Sequence, residues 1–236
     1  MNTYTKIYDL SDFSFPTKNE RLLAYKNCQD IENFGFKNQN DADLFDMQNF
    51  RNTHLVSWDL CLTNKLGKLK ETYIIIFSIH QRLIKDNYPD EGINIFFFEY
   101  FTEIFCHFFF STRDTIAQII NKFLSVFSKD DKVYFNELMK KNTNPAIKEL
   151  MSEFIESTQM ISDYRNNFTH NYPINFLDDR IEVSEDNGRK SYLIRSKKPK
   201  SPDEIMKTFN ESYKHLTDFV NELRKEFGIE INRSYR

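Results

Sequence analysis

Residues 144–173, NPAIKELMSEFIESTQMISDYRNNFTHNYP, predict a long amphipathic helix, and this helix decides the fold class. Asn144 suits the N-cap, and Pro145 suits the first helical position. Pro173 ends the helix, because the residue before a proline disfavours helical backbone angles. Between these limits apolar side chains recur at helical intervals, which predicts one buried face: Ile147, Leu150, Met151, Phe154, Ile161, Tyr164 and Phe168.

Two longer helical patterns precede this segment and one follows it. Apolar residues keep helical spacing over residues 53–83, and residues 95–127 are apolar nearly all round, as expected of a central buried helix. The last helix begins with the capping box Ser201-Pro202-Asp203-Glu204 and ends at Gly228. Four helices of this kind predict an all-α bundle.

A β-hairpin is predicted between the last two helices. Asn187-Gly188 favours a type I′ turn, and the segments on either side of it have strand-like patterns. In the register that this turn sets, each facing pair is favourable: Asp186 with Arg189, Glu185 with Lys190, Val183 with Tyr192, and Ile181 with Ile194. The predicted fold is therefore an all-α, antiparallel helical bundle with one inserted β-hairpin at about 180–195.

The pattern divides the chain into three parts. Residues 1–52 are polar, with weaker helical stretches at 19–31 and 41–50, and we predict an N-terminal helical extension there. Residues 53–228 form the helical domain with its hairpin, and 229–236 form a C-terminal tail.

Composition excludes several classes of protein. The chain has 236 residues, a formal charge of −3 and only five glycines, none close together, which excludes a P-loop or a Gly-rich dinucleotide site. Three cysteines without a CxxC pair favour reduced core thiols, and no His/Cys spacing predicts a zinc site. The most apolar stretch, 95–110, carries charges and is too short to span a bilayer. We expect a soluble cytoplasmic protein without a cofactor.

The candidate catalytic residues lie at the end of the helix predicted over residues 144–173. On an ideal helix, Arg165 lies about 20° from the centre of the apolar stripe, where a guanidinium must be paired or face a wet cleft. His170 lies in the last turn, where the helix dipole favours imidazolium. The two residues point about 140° apart, whereas Asn166 and His170 share a face. Convergence of Arg165 with His170 needs the long arginine, a distorted last turn or a second copy of the helix.

Arg165-Asn166-Asn167-Phe168-Thr169-His170 resembles the motif of the HEPN superfamily, an arginine followed four to six residues later by a histidine. The resemblance implies a helical bundle that forms a homodimer, so that two motifs make one composite cleft. It also implies metal-independent cleavage of single-stranded RNA, as in toxins and antiviral defence nucleases. In this reading Arg165 holds the phosphate, His170 is the general acid or base, and Asn166 orients both.

Tyr172 extends the resemblance to a subset of HEPN toxins. In those toxins a tyrosine two residues after the histidine is nucleotidylated by a nucleotidyltransferase antitoxin, so Tyr172 is a candidate modification site and such an antitoxin a candidate partner. Phosphate charge added beside the motif would repel RNA.

Two further sets of residues could serve the site. Asp114 belongs to a polar stripe on the second long helix and could pair with Arg165, although the stripe as a whole is better explained as a solvated or structural strip. Residues 180–236 carry a charge of +3 against −6 for 1–179, which could steer RNA to the hairpin region. The candidate RNA-binding residues there are Arg180, Arg189, Lys190, Arg195, Lys197 and Lys198. Lysines that protect a sheet edge would have the same pattern.

Three hypotheses follow. The first is an RNA endonuclease of HEPN type. The second is a non-catalytic HEPN-fold module that binds a nucleotide or a protein, which the net acidity of the chain favours. The third is a structural helical dimer that uses the Phe-rich second helix as its interface. For all three, a helix-end arginine in a salt bridge and a histidine capping backbone carbonyls are the simplest alternative for the motif.

Overall fold

Two long antiparallel helices form the centre of the computed structural model. The structure describes residues 13–36, 47–85, 91–127, 133–170, 181–186, 189–194 and 200–229. The elements in chain order are α1 (Lys18–Asn27), α2 (Met47–Leu83), α3 (Glu91–Leu124), α4 (Phe135–Lys141), α5 (Pro145–Ser157), α6 (Gln159–His170), β1 (Ile181–Asp186), β2 (Arg189–Ile194) and α7 (Pro202–Glu226). The helices form the all-α bundle that the sequence predicts.

Helices α2 and α3 run in opposite directions along their whole contact. The ring of His80 lies 6.2 Å from that of Phe98, and the ring of Tyr73 lies 6.4 Å from that of Phe105. Further along, Lys65 Nζ donates to the Ser111 carbonyl oxygen at 3.1 Å. By length and composition α3 could cross a membrane, but 56% of its most apolar window is buried inside the bundle.

Helix α7 packs on this pair through its apolar face. Phe209 stacks on Phe105 with ring centroids 4.4 Å apart, and Tyr73 Oη donates to Asn210 Oδ1 at 2.7 Å. The predicted capping box at Ser201 is present, because its hydroxyl accepts from the Glu204 amide and the Glu204 carboxylate accepts from the Ser201 amide. Gly228 follows the helix with a φ of +67°, the left-handed conformation that glycine adopts without strain.

The helix predicted over residues 144–173 is not continuous. It breaks at Thr158, whose amide and hydroxyl both donate to the Phe154 carbonyl oxygen, at 3.1 and 2.6 Å. Asn144 caps α5 as predicted, accepting from the Ile147 amide at 3.1 Å. The apolar stripe continues across Thr158 because α5 and α6 both pack inward, which is why the spacing gave no sign of the break. The short helix α4 was not predicted.

An N-terminal segment, residues 13–36, is tied to α2 by buried polar groups. The Asp59 carboxylate accepts from three successive backbone amides, those of Phe34, Gly35 and Phe36, at 2.7–3.1 Å. Arg82, at the far end of α2, forms an ion pair with Glu20. These contacts hold the segment to the outside of the bundle at two separate points.

Strands β1 and β2 pair antiparallel and are described by their backbone. The facing residues include Ile181 with Ile194, Val183 with Tyr192, Glu185 with Lys190, and Asp186 with Arg189. The turn residues Asn187 and Gly188 lie outside the described residues.

The cysteines differ in burial. Cys28 and Cys106 are buried, as expected of core thiols, but Cys61 is exposed on α2. The expectation of three core thiols is therefore wrong for Cys61. Burial raises the pKa of the Cys106 thiol, and the nearby charge of Glu103 raises it further.

Candidate functional site

Helix α6 carries the predicted motif and is oriented by its apolar side. Ile161 and Tyr164 are buried, and Tyr164 Oη accepts from Thr208 Oγ1 of α7 at 3.2 Å. These contacts leave Arg165 and Asn166 exposed. The expectation that Arg165 lies near the centre of the apolar stripe is wrong, because the break at Thr158 resets the helical phase between Phe154 and Arg165.

The side chain of Arg165 lies over an aromatic ring of α3. Its Cζ atom is 5.0 Å from the centroid of Phe110, a ring that is almost fully buried. A guanidinium over the face of an aromatic ring is attracted by the ring quadrupole and keeps its edge free for hydrogen bonds. Phe110 thus gives Arg165 a fixed support while the residue remains exposed.

A second arginine shares the same ring. Arg113 Cζ lies 4.7 Å from the centroid of Phe110 and 5.3 Å from that of Phe135, the first residue of α4. Its Nε and Nη2 donate to Asp114 Oδ1 at 3.4 and 3.3 Å. Asp114, the predicted partner of Arg165, therefore contacts Arg113 instead. Arg113 in turn shares the ring of Phe110 with Arg165.

The electrostatics around this ring are dominated by cations. Burial lowers the pKa of Arg113, the charge of Asp114 opposes this shift, and the charge of Arg165 adds to it. Lys65 on α2 is close enough to feel the charge of Asp114, which opposes the lowering of the Lys65 pKa by burial. Arg113 and Arg165 share the ring of Phe110 where α6 packs on α3, and Lys65 of α2 lies near Asp114. Such a site attracts an anion.

Comparison with known proteins identifies the family of the chain. The HEPN_Cthe2314-like HEPN family model matches residues 58–225, well over half of the chain. The chain belongs to the HEPN superfamily. No curated protein and no solved structure matches it. The predicted membership of this superfamily is thereby confirmed, and the match begins in α2 and ends in α7, so that it includes the helices that pack around Phe110.

The structure describes part of the HEPN motif. Helix α6 ends at His170, whose side chain lies outside the described residues, as do Tyr172, Arg180, Arg195, Lys197 and Lys198. Arg189 and Lys190 lie in β2, of which only the backbone is described. Asn167, inside the motif, uses its Nδ2 to donate to the Asp163 carbonyl oxygen at 2.7 Å, which reinforces the last turns of α6.

The polar stripe of α3 divides into two parts. Glu103 and His107 are exposed, and partial burial raises the pKa of Glu103. Asn121 is buried, and its Oδ1 accepts from the Phe127 amide at 2.8 Å, so it closes the end of α3. The stripe is therefore not a single acid/base lining. Within the described ranges, no group of three His, Cys, Asp or Glu side chains could hold a metal ion.

Sequence reasoning missed Phe110, Arg113 and Lys65. All three precede the first residue of α6 by more than forty positions, and only the fold brings Phe110 and Arg113 to Arg165. A weak signal was present, because Arg113 directly precedes Asp114 and follows Phe110 by three residues, on the same side of α3.

Proposed function

We propose that the protein is a metal-independent RNA endonuclease of HEPN type, with a composite active site at a homodimer interface. The observation that carries the proposal is the position of Arg165. In a chain that belongs to the HEPN superfamily, this arginine is exposed, supported by Phe110, and five residues before the histidine at which α6 ends. HEPN domains commonly dimerise and bind RNA, and membership of the superfamily points to a nuclease or a nucleotide-binding module.

The proposed chemistry uses the 2′-hydroxyl of RNA as an internal nucleophile. His170 removes the 2′-OH proton, the 2′-oxygen bonds to the adjacent phosphorus, and the bond from phosphorus to the 5′-oxygen breaks. A proton from the second copy's motif neutralises the leaving 5′-oxygen. Arg165 holds the phosphate oxygens and stabilises the charge that builds in the transition state. The products are a 2′,3′-cyclic phosphate and a 5′-hydroxyl.

A second copy of the chain is needed because Arg165 and His170 of one ideal helix do not point in the same direction. Arg165 and His170 are five residues apart on one helix, so an ideal helix directs them about 140° from each other. Pairing Arg165 of one copy with His170 of another removes that difficulty. Asn166, exposed beside Arg165, would orient the two groups.

The hairpin between α6 and α7 completes the proposal. We propose that it is an insertion in the HEPN bundle and that its basic residues Arg189 and Lys190, with the basic residues next to it in the sequence, bind the RNA backbone. In a cytoplasmic toxin or defence nuclease these residues would favour exposed single strands.

The test is incubation of the purified protein with end-labelled, mixed-sequence single-stranded RNA in EDTA. We expect cleavage that leaves cyclic phosphate ends, and a loss of at least about 100-fold in Arg165→Ala and His170→Ala. His215→Ala, on α7 and away from α6, is the matched control and should cleave like the wild type. Light scattering on the same samples measures the dimer.

Other outcomes have distinct meanings. RNA or nucleotide binding by a folded dimer without cleavage would identify a binding module, the alternative that the net charge of −3 favours. A mass increase on Tyr172 in inactive protein would indicate a nucleotidylated toxin, and its removal should then restore cleavage. Equal cleavage by wild type and both motif variants would rule out the proposed site.

A further inference from the structure

Two guanidinium groups share the ring of Phe110, and this arrangement is costly for the fold. The Cζ atoms of Arg113 and Arg165 lie 4.7 and 5.0 Å from its centroid, so they are no further apart than the sum of these distances. Like charges at this range repel each other, more strongly where water is partly excluded. The side chain of Arg113 is only 17% exposed. This repulsion opposes the attraction that each guanidinium has for the ring.

The carboxylate of Asp114 contacts Arg113 and compensates its positive charge only weakly. Asp114 accepts from Arg113 through a single oxygen, at 3.3 and 3.4 Å, and is itself 40% exposed. These distances lie beyond the range of a strong charge-assisted bond. Lys65 is a further cation near the same carboxylate, and Glu103 is a further acid, whose charge acts on Cys106 together with that of Arg165.

Arg113 is also oriented for recognition. Its Cζ atom lies 4.7 Å from the centroid of Phe110 and 5.3 Å from that of Phe135, and contact with two rings limits the freedom of the guanidinium. Nε and Nη2 donate to Asp114, and Nη1 makes no hydrogen bond within the described part of the chain. A planar donor fixed in this way loses little conformational entropy when it binds a phosphate oxygen.

We propose that Arg113 is a second phosphate-binding residue of the RNA site, which contacts a phosphodiester next to the one held by Arg165. The inference rests on the proposed function and extends it from a motif on α6 to a pair of arginines on α3 and α6. Bound RNA would place negative charge between two guanidinium groups and relieve their repulsion. Stability that the free protein gives up here would then be recovered on binding.

The test measures binding separately from cleavage. In a His170→Ala background, fluorescence anisotropy of a labelled 12-nucleotide single-stranded RNA is recorded over a series of KCl concentrations. We expect Arg113→Gln to weaken binding about tenfold and to reduce the slope of log K against log salt by about 0.7, the value for one phosphate contact on a single strand. Arg113→Lys should retain the slope and lose part of the affinity.

Two controls separate binding from structure. Lys207→Gln removes one positive charge from an exposed position on α7 and should leave affinity and slope unchanged. Urea denaturation of Arg113→Gln should give a midpoint equal to or above that of the parent, because repulsion is removed. A lower midpoint together with weak binding that Arg113→Lys fails to improve would assign Arg113 a structural role and overturn the proposal.

The remaining outcomes distinguish this inference from the proposed function. If the wild type binds RNA but does not cleave it, the nuclease is overturned and the effect of Arg113→Gln on binding still decides the inference. If the wild type cleaves and Arg113→Gln binds like its parent, only the inference is overturned. Absence of RNA binding by the wild type overturns both.

Discussion

Arg82 and Arg113 are both largely buried on the central helices, yet their surroundings differ. Arg82, at the end of α2, donates to both oxygens of Glu20 at 2.7 and 3.0 Å and to the Ser14 carbonyl oxygen at 2.6 Å. Arg113, on α3, contacts one oxygen of its sequence neighbour Asp114 at 3.3 Å and lies beside Arg165. The guanidinium of Arg82 is matched to both oxygens of its partner, whereas that of Arg113 is weakly paired and lies near a second positive charge.

The difference indicates what each arginine does. A bidentate ion pair with an added carbonyl contact holds two distant parts of the chain together, here the N-terminal segment and α2. An arginine placed beside another arginine is repelled by it, and titratable groups that their surroundings perturb cluster at functional sites. The first arrangement is structural, and the second is explained by a ligand that is negatively charged.

The largest expected effect is the loss of the Arg82 pair. Arg82→Met should lower the free energy of unfolding by about 4 kcal/mol, because the Glu20 carboxylate loses its partner in a partly buried site. Arg113→Met, the matched substitution on α3, should leave it unchanged or raise it by less than about 1 kcal/mol, because repulsion by Arg165 is removed. Urea denaturation monitored by circular dichroism measures both.

An equal loss of stability in the two variants would remove the distinction between a structural and a functional arginine. Arg82→Lys provides a further check. It keeps the charge but cannot form the paired contacts to both oxygens of Glu20, so it should recover only part of the loss.

The sequence predicts the helices of the bundle better than the contacts of either arginine. Asn144 and Ser201 are confirmed as caps because capping depends on residues three positions away, which can be read directly from the chain. The break at Thr158 was missed, since threonine is compatible with a helix and the apolar stripe continues on both sides of it. Rules for residues three or four positions apart therefore predict caps, but they do not predict where packing breaks a helix.

The candidate site shows the same limit. Arg165 was identified because the motif is contiguous, and the family comparison confirms the superfamily. Its support by Phe110, and the presence of Arg113 on the same ring, depend on the packing of α6 against α3, which spacing along the chain does not specify. The contact of Arg82 with Glu20 spans sixty-two positions and is equally invisible to a helical wheel.

A smaller effect is expected from protonation of Glu20. The hydrogen bond from Arg82 lowers the pKa of Glu20 from 4.5 to about 2. Because the folded-state pKa is the lower one, the stabilisation is complete above pH 4.5 and is lost as the pH falls towards 2. Solvent screening at this partly exposed carboxylate reduces the contribution to about 2 kcal/mol.

Unfolding free energies at pH 6, 4 and 2.5 measure this contribution. Glu20→Gln should be less stable than the wild type at pH 6, and the difference should shrink as the pH falls. Asp114→Asn is the comparison from the other arginine, and its difference from the wild type at pH 6 should be the smaller of the two, because Asp114 contacts Arg113 through one oxygen only. If the gap between Glu20→Gln and wild type stayed constant from pH 6 to 2.5, the Arg82 pair would not be the cause.

The smallest expected effect is the coupling free energy between Arg113 and Arg165, whose sign a double-mutant cycle measures. In the cycle of Arg113→Gln with Arg165→Gln, removing either charge relieves repulsion, so the double variant should be less stable than the two single effects predict when added, by about 0.5 kcal/mol. The coupling between Arg82→Gln and Glu20→Gln should have the opposite sign and a larger size.

The salt dependence of the two couplings should also differ. Because Arg165 is exposed, its coupling to Arg113 should nearly vanish in 1 M KCl. The side chain of Arg82 is 2% exposed, so its coupling to Glu20 should be mostly retained. A favourable coupling between the two arginines, or one that salt leaves unchanged, would mean that they stabilise the bundle by packing on Phe110 and that their shared ring is no sign of an anion site.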